Sequence, residues 1–574
     1  MHRLVLIAVL LPLLAPIASA AGPRDELLRV APPDAALVLV LQDAREHVRN
    51  LRDSPFAAWL PTTAVGKKLL GSQNLKLLTQ ASGNIFAGLG TTPNELLQDV
   101  VGDAVAFAFS PAPPGRPKEE RAILLIRPRK AEALEKLIAK LNEVQMQSGE
   151  VKRIESRMHS GAEYFARHHG ADAAQFYCFR GSVFAFSTSE ADIRALIDRD
   201  KTSPSVKEKV PVLVSRMAEL GTVDAAGVIL VNPRALDAQV DAQVASASPK
   251  SKRFLEKFRD VWSGIDSAAA YVALDKAAEV GLSVRFKVDK LPPDARRFLA
   301  GLLAPSAAES MIPGDALFGV AVHCRAPEII DLVAGMAPVE PGKPGVKKWL
   351  EETVGPVVGR ETLPLVLDAL GPKMAMWATR PQKDAFMPTF VAAIELNGSG
   401  ERRAKAEDAI LVGAQAAFTL VRLGYNTSHS DQIALVRETD EKTGSAIHSL
   451  INEKGFPAGF SPSFAIQRGY LVLASHPEAI RRFQPPGPER GAAGHRTLAR
   501  FSGIESRTYL QMHGEKLASF LHEIGAGEEP AIRGQLATIS DVLELFDSGE
   551  IIARGDEHSL RIALRIRPAK PLKK

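Results

Sequence analysis

Apolar and polar residues alternate with a period of two in many short runs of this chain. In "LRIALRIR", Leu560, Ile562, Leu564 and Ile566 share one side of an extended backbone. A period of two predicts a strand with one buried and one wet face, and hence antiparallel sheet. Between the strands the period changes. "RKAEALEKLIAKLNEV" carries Leu134, Leu137, Ile138 and Leu141 on one stripe, which predicts a helix packed on the sheet. "TPNELLQDVVG" opens with Thr92, has Pro93 at the first helical position and Glu95 three residues after Thr92, and closes at Gly102. That spacing is a capping box with a glycine stop. The expected class is α+β: antiparallel sheet with helices packed on one face.

The order of elements is written twice. "VFAFSTSEADIRALI" from Val183 and "YLVLASHPEAIRRF" from Tyr470 both read as strand, polar turn and helix start. Five further pairs follow the same order. "PPDAALVLVLQDA" from Pro32 matches "IPGDALFGVAVHC" from Ile312, and "LLQDVVGDAVAFAF" from Leu96 matches "LVLDALGPKMAMWA" from Leu365. "RAILLIRPRKAEALEKLI" matches "TFVAAIELNGSGERRAKAEDAI", and "GVILVNPRALDAQV" matches "TYLQMHGEKLASFL". Last, "DVWSGIDS" from Asp260 matches "DVLELFDS" from Asp541, each followed by a hairpin of alternating strands. Collinear matches of this kind predict tandem copies of one module. The expected organisation is a first copy over 21–290, a Pro- and Ala-rich linker around a short helix over 291–311, and a second copy over 312–574.

The first twenty residues change the picture of where the chain works. His2 and Arg3 precede an apolar run from Leu4 to Leu14, and Ala18-Ser19-Ala20 fits a cleavage site. This predicts a signal peptide over 1–20, an exported mature chain that is periplasmic or extracellular, and no transmembrane span after cleavage. The chain of 574 residues is 46% hydrophobic and 24% charged, which are ordinary globular values; its length implies about two to four domains. The net charge of +5 is small and interspersed, without the clustered basic face that nucleic-acid binding needs. Cys178 and Cys324 are the two cysteines, each in an apolar stretch, and are read as buried small hydrophobes, with a bridge between them left open.

Candidate chemistry adds little. Gly88 and Gly90 precede a helix without a third glycine or a Walker lysine, so they are read as a turn and cap. His159, Glu163, His168, His169 and Asp172 form the densest set of metal-ligand types, but adjacent strand histidines face opposite ways, and "RHHGAD" is read as a loop. "GFSPS" at Gly459 lacks the closing glycine of a nucleophile elbow, and Lys442-Thr443-Gly444 has no serine partner motif upstream. Acidic pairs such as Glu95 with Asp99, or Asp440 with Glu441, are read as solvated positions. The sequons at Asn397 and Asn426 are read as turns, and aromatic residues, 6% of the chain, as core. No catalytic, cofactor or metal residue is assigned, and no cofactor is expected.

Three stretches, "VAPPDAALVLVLQDA", "VVGDAVAFAF" and "VFAFSTSEADI", resemble those of large exported bacterial proteins with a duplicated α+β module and no assigned activity. The resemblance implies the fold and no site residues. The leading expectation is therefore a non-enzymatic binding or scaffold protein acting through its surface on an unknown protein partner. An exposed apolar or charged patch spanning both copies would mark it. The alternatives are a carrier of a lipid or other apolar ligand, and a hydrolase whose residues meet only in three dimensions.

Overall fold

The computed structural model describes residues 22–170, 174–201, 210–304, 307–337, 344–487 and 495–572. The predicted signal segment lies outside them. Among the described residues no helix is long and apolar enough to cross a membrane. The chain forms two compact units, one from residues up to Arg49 with Gln73–Leu236, the other from Asn50–Ser72 with Asp237 onward. The division falls at Leu236 and Asp237. The stretch 291–311, with its helix Pro293–Leu303, lies inside the second unit.

The first unit holds β1 (Leu37–Gln42), β2 (Ala104–Ser110), β3 (Arg121–Arg127), β4 (Arg153–His159), β5 (Ala162–His168), β6 (Ala174–Arg180), β7 (Val183–Ser187) and β8 (Gly227–Val231). They pair antiparallel in the order β8-β1-β2-β3-β7-β6-β5-β4. The β4–β5 hairpin turns on Ser160 (φ 49°) and Gly161 (φ 74°), the two left-handed residues that match strand twist.

The second unit holds β9 (Ile265–Leu274), β10 (Ala278–Phe286), β11 (Phe318–His323), β12 (Leu370–Thr379), β13 (Thr389–Leu396), β14 (Ala434–Thr439), β15 (Ala446–Ile451), β16 (Ser463–Gln467), β17 (Tyr470–Ala474), β18 (His495–Ser502), β19 (Phe546–Asp556) and β20 (Ser559–Pro568). Their order is β9-β10-β20-β19-β18-β11-β12-β13-β17-β16-β15-β14, again antiparallel throughout. The β9–β10 hairpin, expected to close the first copy, pairs through β10 with β20.

The antiparallel α+β class stands, but helices pack on both faces of each sheet, not one, and one of the two faces is covered only in part. In the first unit the helix Ala131–Gln147 sets Leu134, Leu137 and Ile138 on Tyr177 and Phe184, the stripe its sequence predicts. On the opposite face Tyr164 donates a 2.6 Å hydrogen bond to Glu190 of the helix Glu190–Lys201, which buries Ile193, Leu196 and Ile197. In the second unit the helix Pro477–Arg482 packs Ile480 with Trp377, Val391, Val472 and Phe483. The long helix Gly400–Ser428 takes the other face, with Ile410 against Leu396, Leu471 and Ile466. Alternation forces this result, because adjacent strand residues such as Val472 and Leu473 point to opposite sides.

Candidate binding face

The central strands are apolar on both sides: "LVLVLQ" in β1, "AVAFAFS" in β2, "FGVAVH" in β11. Strands of that kind are ordinarily covered on both faces. Here one face is covered and the other is open. In β1, Val38 and Val40 are buried while Leu39 and Leu41 are exposed.

In the second unit the open face follows a single register row. Val320 pairs with Met376, Met376 with Ala392, and Ala392 with Leu473. Met376, at the middle, is 50% exposed, and Val320 and Leu473 are exposed with it. The row continues into Phe464 and His448, which the helix Gly400–Ser428 covers. There the His448 and Phe464 rings stack at 4.9 Å, and Phe418 meets Phe464 edge-on at 4.8 Å. Burial, with Arg437 alongside, pushes the His448 pKa down, so the imidazole in this stack is neutral near pH 7.

Where the open part of the row meets the helix there is a cleft of about 300 Å³. Phe318, Met376, Phe390, Phe418 and Leu473 line it, with Ser463 and Ser475 at the rim. The Phe318 and Phe390 rings lie 6.3 Å apart. Both rim serines are hydrogen-bonded within the chain. Ser463 donates to the Ser461 carbonyl and shares a hydrogen bond with Ser449, while Ser475 accepts from the Phe390 N–H at 3.0 Å. The lining has no ionisable side chain, so it suits a neutral apolar group and disfavours a charged one.

The first unit carries a row of the same composition. Ile229 pairs with Leu39, Leu39 with Phe107, Phe107 with Leu124, and Leu124 with Phe186. It too continues under a helix: Tyr177 and Phe165, next in register, stack at 4.9 Å, and Asn142 of the helix Ala131–Gln147 donates to the Tyr177 hydroxyl. Ile229, Leu39 and Phe107 form the open end.

The open face also includes β9, β10, β19 and β20, and here one expectation is reversed. The side of β20 that bears Leu564 is the open one, continuous with Val272, Val280, Leu282 and Ile551. The covered side bears Glu279, Arg561 and Arg565.

The sequence candidates lie elsewhere and do not converge. His159 Nε2 lies 3.0 Å from Asp198, and His168 Nε2 lies 3.2 Å from Glu155. His169 Nδ1 lies 3.2 Å from the Glu150 carbonyl, and Glu163 accepts from Ser156. Asp172 is outside the described residues, among which no three His, Cys, Asp or Glu side chains are placed to hold a metal ion. Ser160, His159 and Asp198 do meet, but Ser160 donates to Asp198 at 3.0 Å and His159 points the same nitrogen at that carboxylate. A nucleophilic serine needs the imidazole as its acceptor and the acid on the other ring nitrogen, so this grouping is a hairpin clasp.

Cys178 and Cys324 are both free and buried, and burial pushes each thiol up to about 12. Gly90 (φ 66°) ends a helix, and the Thr92–Glu95 capping box forms with both its hydrogen bonds. Lys442-Thr443-Gly444 is a hairpin turn in which Thr443 donates to Asp440. Gly459 (φ 80°) lies in a loop. Asn397 sits in a turn, but Asn426 does not: it lies in the last turn of the helix Gly400–Ser428, with its amide bonded to both the N–H and the carbonyl of Ile433.

The open face was not predicted, because every strand was read as having one wet side. The signal was present in unbroken apolar strands such as "LVLVL" and "AVAFAF". No family model, curated protein or solved structure matches this chain.

Proposed function

We propose that this chain is an exported, non-enzymatic binding protein built from two tandem copies of one module, and that its working surface is the open sheet face. The ligand is a neutral apolar molecule or acyl chain seated in the cleft at Met376. One observation carries the reading: the row Val320–Met376–Ala392–Leu473 is apolar and open on a sheet otherwise covered by helices. An uncovered apolar face of that extent in a folded chain marks a binding surface.

Two features support the duplication. Eight strand pairings recur in the same chain order, β1–β2 with β11–β12, β1–β8 with β11–β18, and so on through β9–β10 with β19–β20. In addition, the stacked pair under a helix occupies the same register place in each row.

The test is a titration with N-phenylnaphthylamine, an uncharged fluorophore that brightens in apolar sites. Saturable enhancement is expected, and Met376→Lys, which sets a charge on the cleft floor, weakens it about tenfold or more. Equal binding by the variant would contradict the assignment. A protein partner on the same face is the second reading; its mark would be burial of Met376 in a stable complex together with failure to bind the fluorophore.

A further inference from the structure

We propose that Asn397 is a site of spontaneous covalent modification: its side-chain amide is lost as ammonia through a succinimide formed with Gly398, leaving aspartate or isoaspartate ahead of the helix Gly400–Ser428. This is independent of what the open face binds. The reaction needs a backbone nitrogen held close to the side-chain carbonyl carbon of the preceding asparagine, with nothing shielding that nitrogen. Asn397 is the one asparagine of the chain followed by glycine. Every other is followed by a residue whose side chain crowds the nitrogen, or, at Asn232, by proline, which has no N–H.

The fold presents this pair in the arrangement the reaction uses. Asn397 follows the last residue of β13, and its N–H still donates to the Ala369 carbonyl at 2.7 Å. Residues 397–400 are exposed, so the departing amide meets water. Gly398 turns the chain with φ 108°, a conformation that favours glycine and leaves no β-carbon over its nitrogen. The Gly398 N–H donates to Asn397 Oδ1 at 2.8 Å. That contact folds the side chain back over the next peptide and brings Cγ, one bond from Oδ1, beside the nitrogen.

Once solvent base takes the Gly398 proton, the nitrogen bonds to Cγ, the Cγ–Nδ2 bond breaks, and Nδ2 leaves as ammonia. Water then opens the five-membered ring, at Cγ to give aspartate or at the main-chain carbonyl to give isoaspartate. One amide and one water become one carboxylic acid and one ammonia, with no change of oxidation state. Either product sets a negative charge ahead of a helix N-terminus that Ser399 does not cap with its side chain, and the free N–H groups of the first turn favour that charge. Isoaspartate also lengthens the main chain by one carbon at the joint between β13 and the helix.

The experiment keeps the full mature chain folded in mildly alkaline buffer made with heavy-oxygen water, then digests it with trypsin in ordinary water, so that only conversion in the folded chain carries label. The fragment Asp384–Arg402 has Asn397 as its only asparagine. It should appear as two separable labelled acids, one of them a substrate for a protein isoaspartyl methyltransferase. Fragments holding the other asparagines should stay unlabelled, and Asn397→Gln should abolish the conversion. The same fragment made synthetically and incubated alongside gives the reactivity of the free peptide. No labelled acid from the folded chain while the free peptide converts would show that the fold protects Asn397, and would overturn the proposal. Conversion at the other asparagines to the same extent, or conversion of this fragment persisting in Asn397→Gln, would overturn it as well.

Discussion

Glu279 shows how a charge is held within a sheet. It is 8% exposed, accepts a 2.7 Å hydrogen bond from the Tyr271 hydroxyl, and lies within 3.1 Å of both Arg561 and Arg565 across the β10–β20 ladder. Burial alone would raise the carboxyl pKa. Tyr271 and the two guanidiniums outweigh it and hold Glu279 below the ordinary carboxylate range. Removing the carboxylate leaves two cations facing each other, so Glu279→Ala should cost about 2–3 kcal/mol, read as a lower urea midpoint. The sign of the pH effect follows from the lowered pKa. This stabilisation is complete above the unfolded glutamate value of about 4.3, and is lost as pH falls through the lower folded value. Glu279→Gln should therefore show a flatter loss of stability below about pH 4.3 than the parent. The network also dictates a glycine. A Cβ on Gly281 would meet the Tyr271 ring, so Gly281→Ala must displace the tyrosine and should destabilise by about 1–3 kcal/mol, seen in the same denaturation series.

Elements differ in how far the sequence foretells them. The capping box at Thr92 and Glu95 is wholly local, and it forms as the spacing requires. Thr92→Ala should cost about 1 kcal/mol, with faster amide exchange confined to the following turns over 93–101. The stripe of Leu134, Leu137 and Ile138 is almost as local, and it lands on the sheet. In β20 the period of two correctly separates Leu560, Ile562, Leu564 and Ile566 from Arg561 and Arg565. It does not say which side is covered, because hydrophobicity predicts burial only where another element supplies the cover. Here the Tyr271–Glu279–arginine network takes the covered side, and the aliphatic side stays open. The histidine set fails for a related reason. His159, the last residue of β4, and His168, the last of β5, lie at opposite ends of the β4–β5 hairpin, and each meets a carboxylate, Asp198 or Glu155, which no spacing rule links to it.

For the whole molecule, repeated segments foretell the order of strands better than their partners. That β1 pairs with β2, and β11 with β12, agrees with the matched segments, but the match of "GVILVNPRALDAQV" with "TYLQMHGEKLASFL" fails: residues 508–521 lie in the helix Gly503–Glu523, and the strand that takes the place of β8 beside β11 is β18. That β10 joins β20 depends on contacts between residues nearly three hundred positions apart, and no local pattern carries it. The open face belongs to the same scale. Individually, Val320, Met376, Ala392 and Leu473 are unremarkable apolar strand residues in four separate strands, and only the register brings them into one row beside Phe418.

The central claim, that this row receives an apolar chain, can be read directly from Phe390→Trp, which sets an indole on the cleft lining; Trp377 itself packs on the covered face with Ile480 and Phe483. With Trp59, Trp262, Trp349 and Trp377 replaced by phenylalanine, the introduced indole becomes the sole reporter. A brominated stearic acid, which quenches indole only at short range, should then quench its fluorescence saturably, and Met376→Lys should abolish that saturation. Quenching no greater than that of free tryptophan, or unchanged in Met376→Lys, would show that the cleft does not hold the chain.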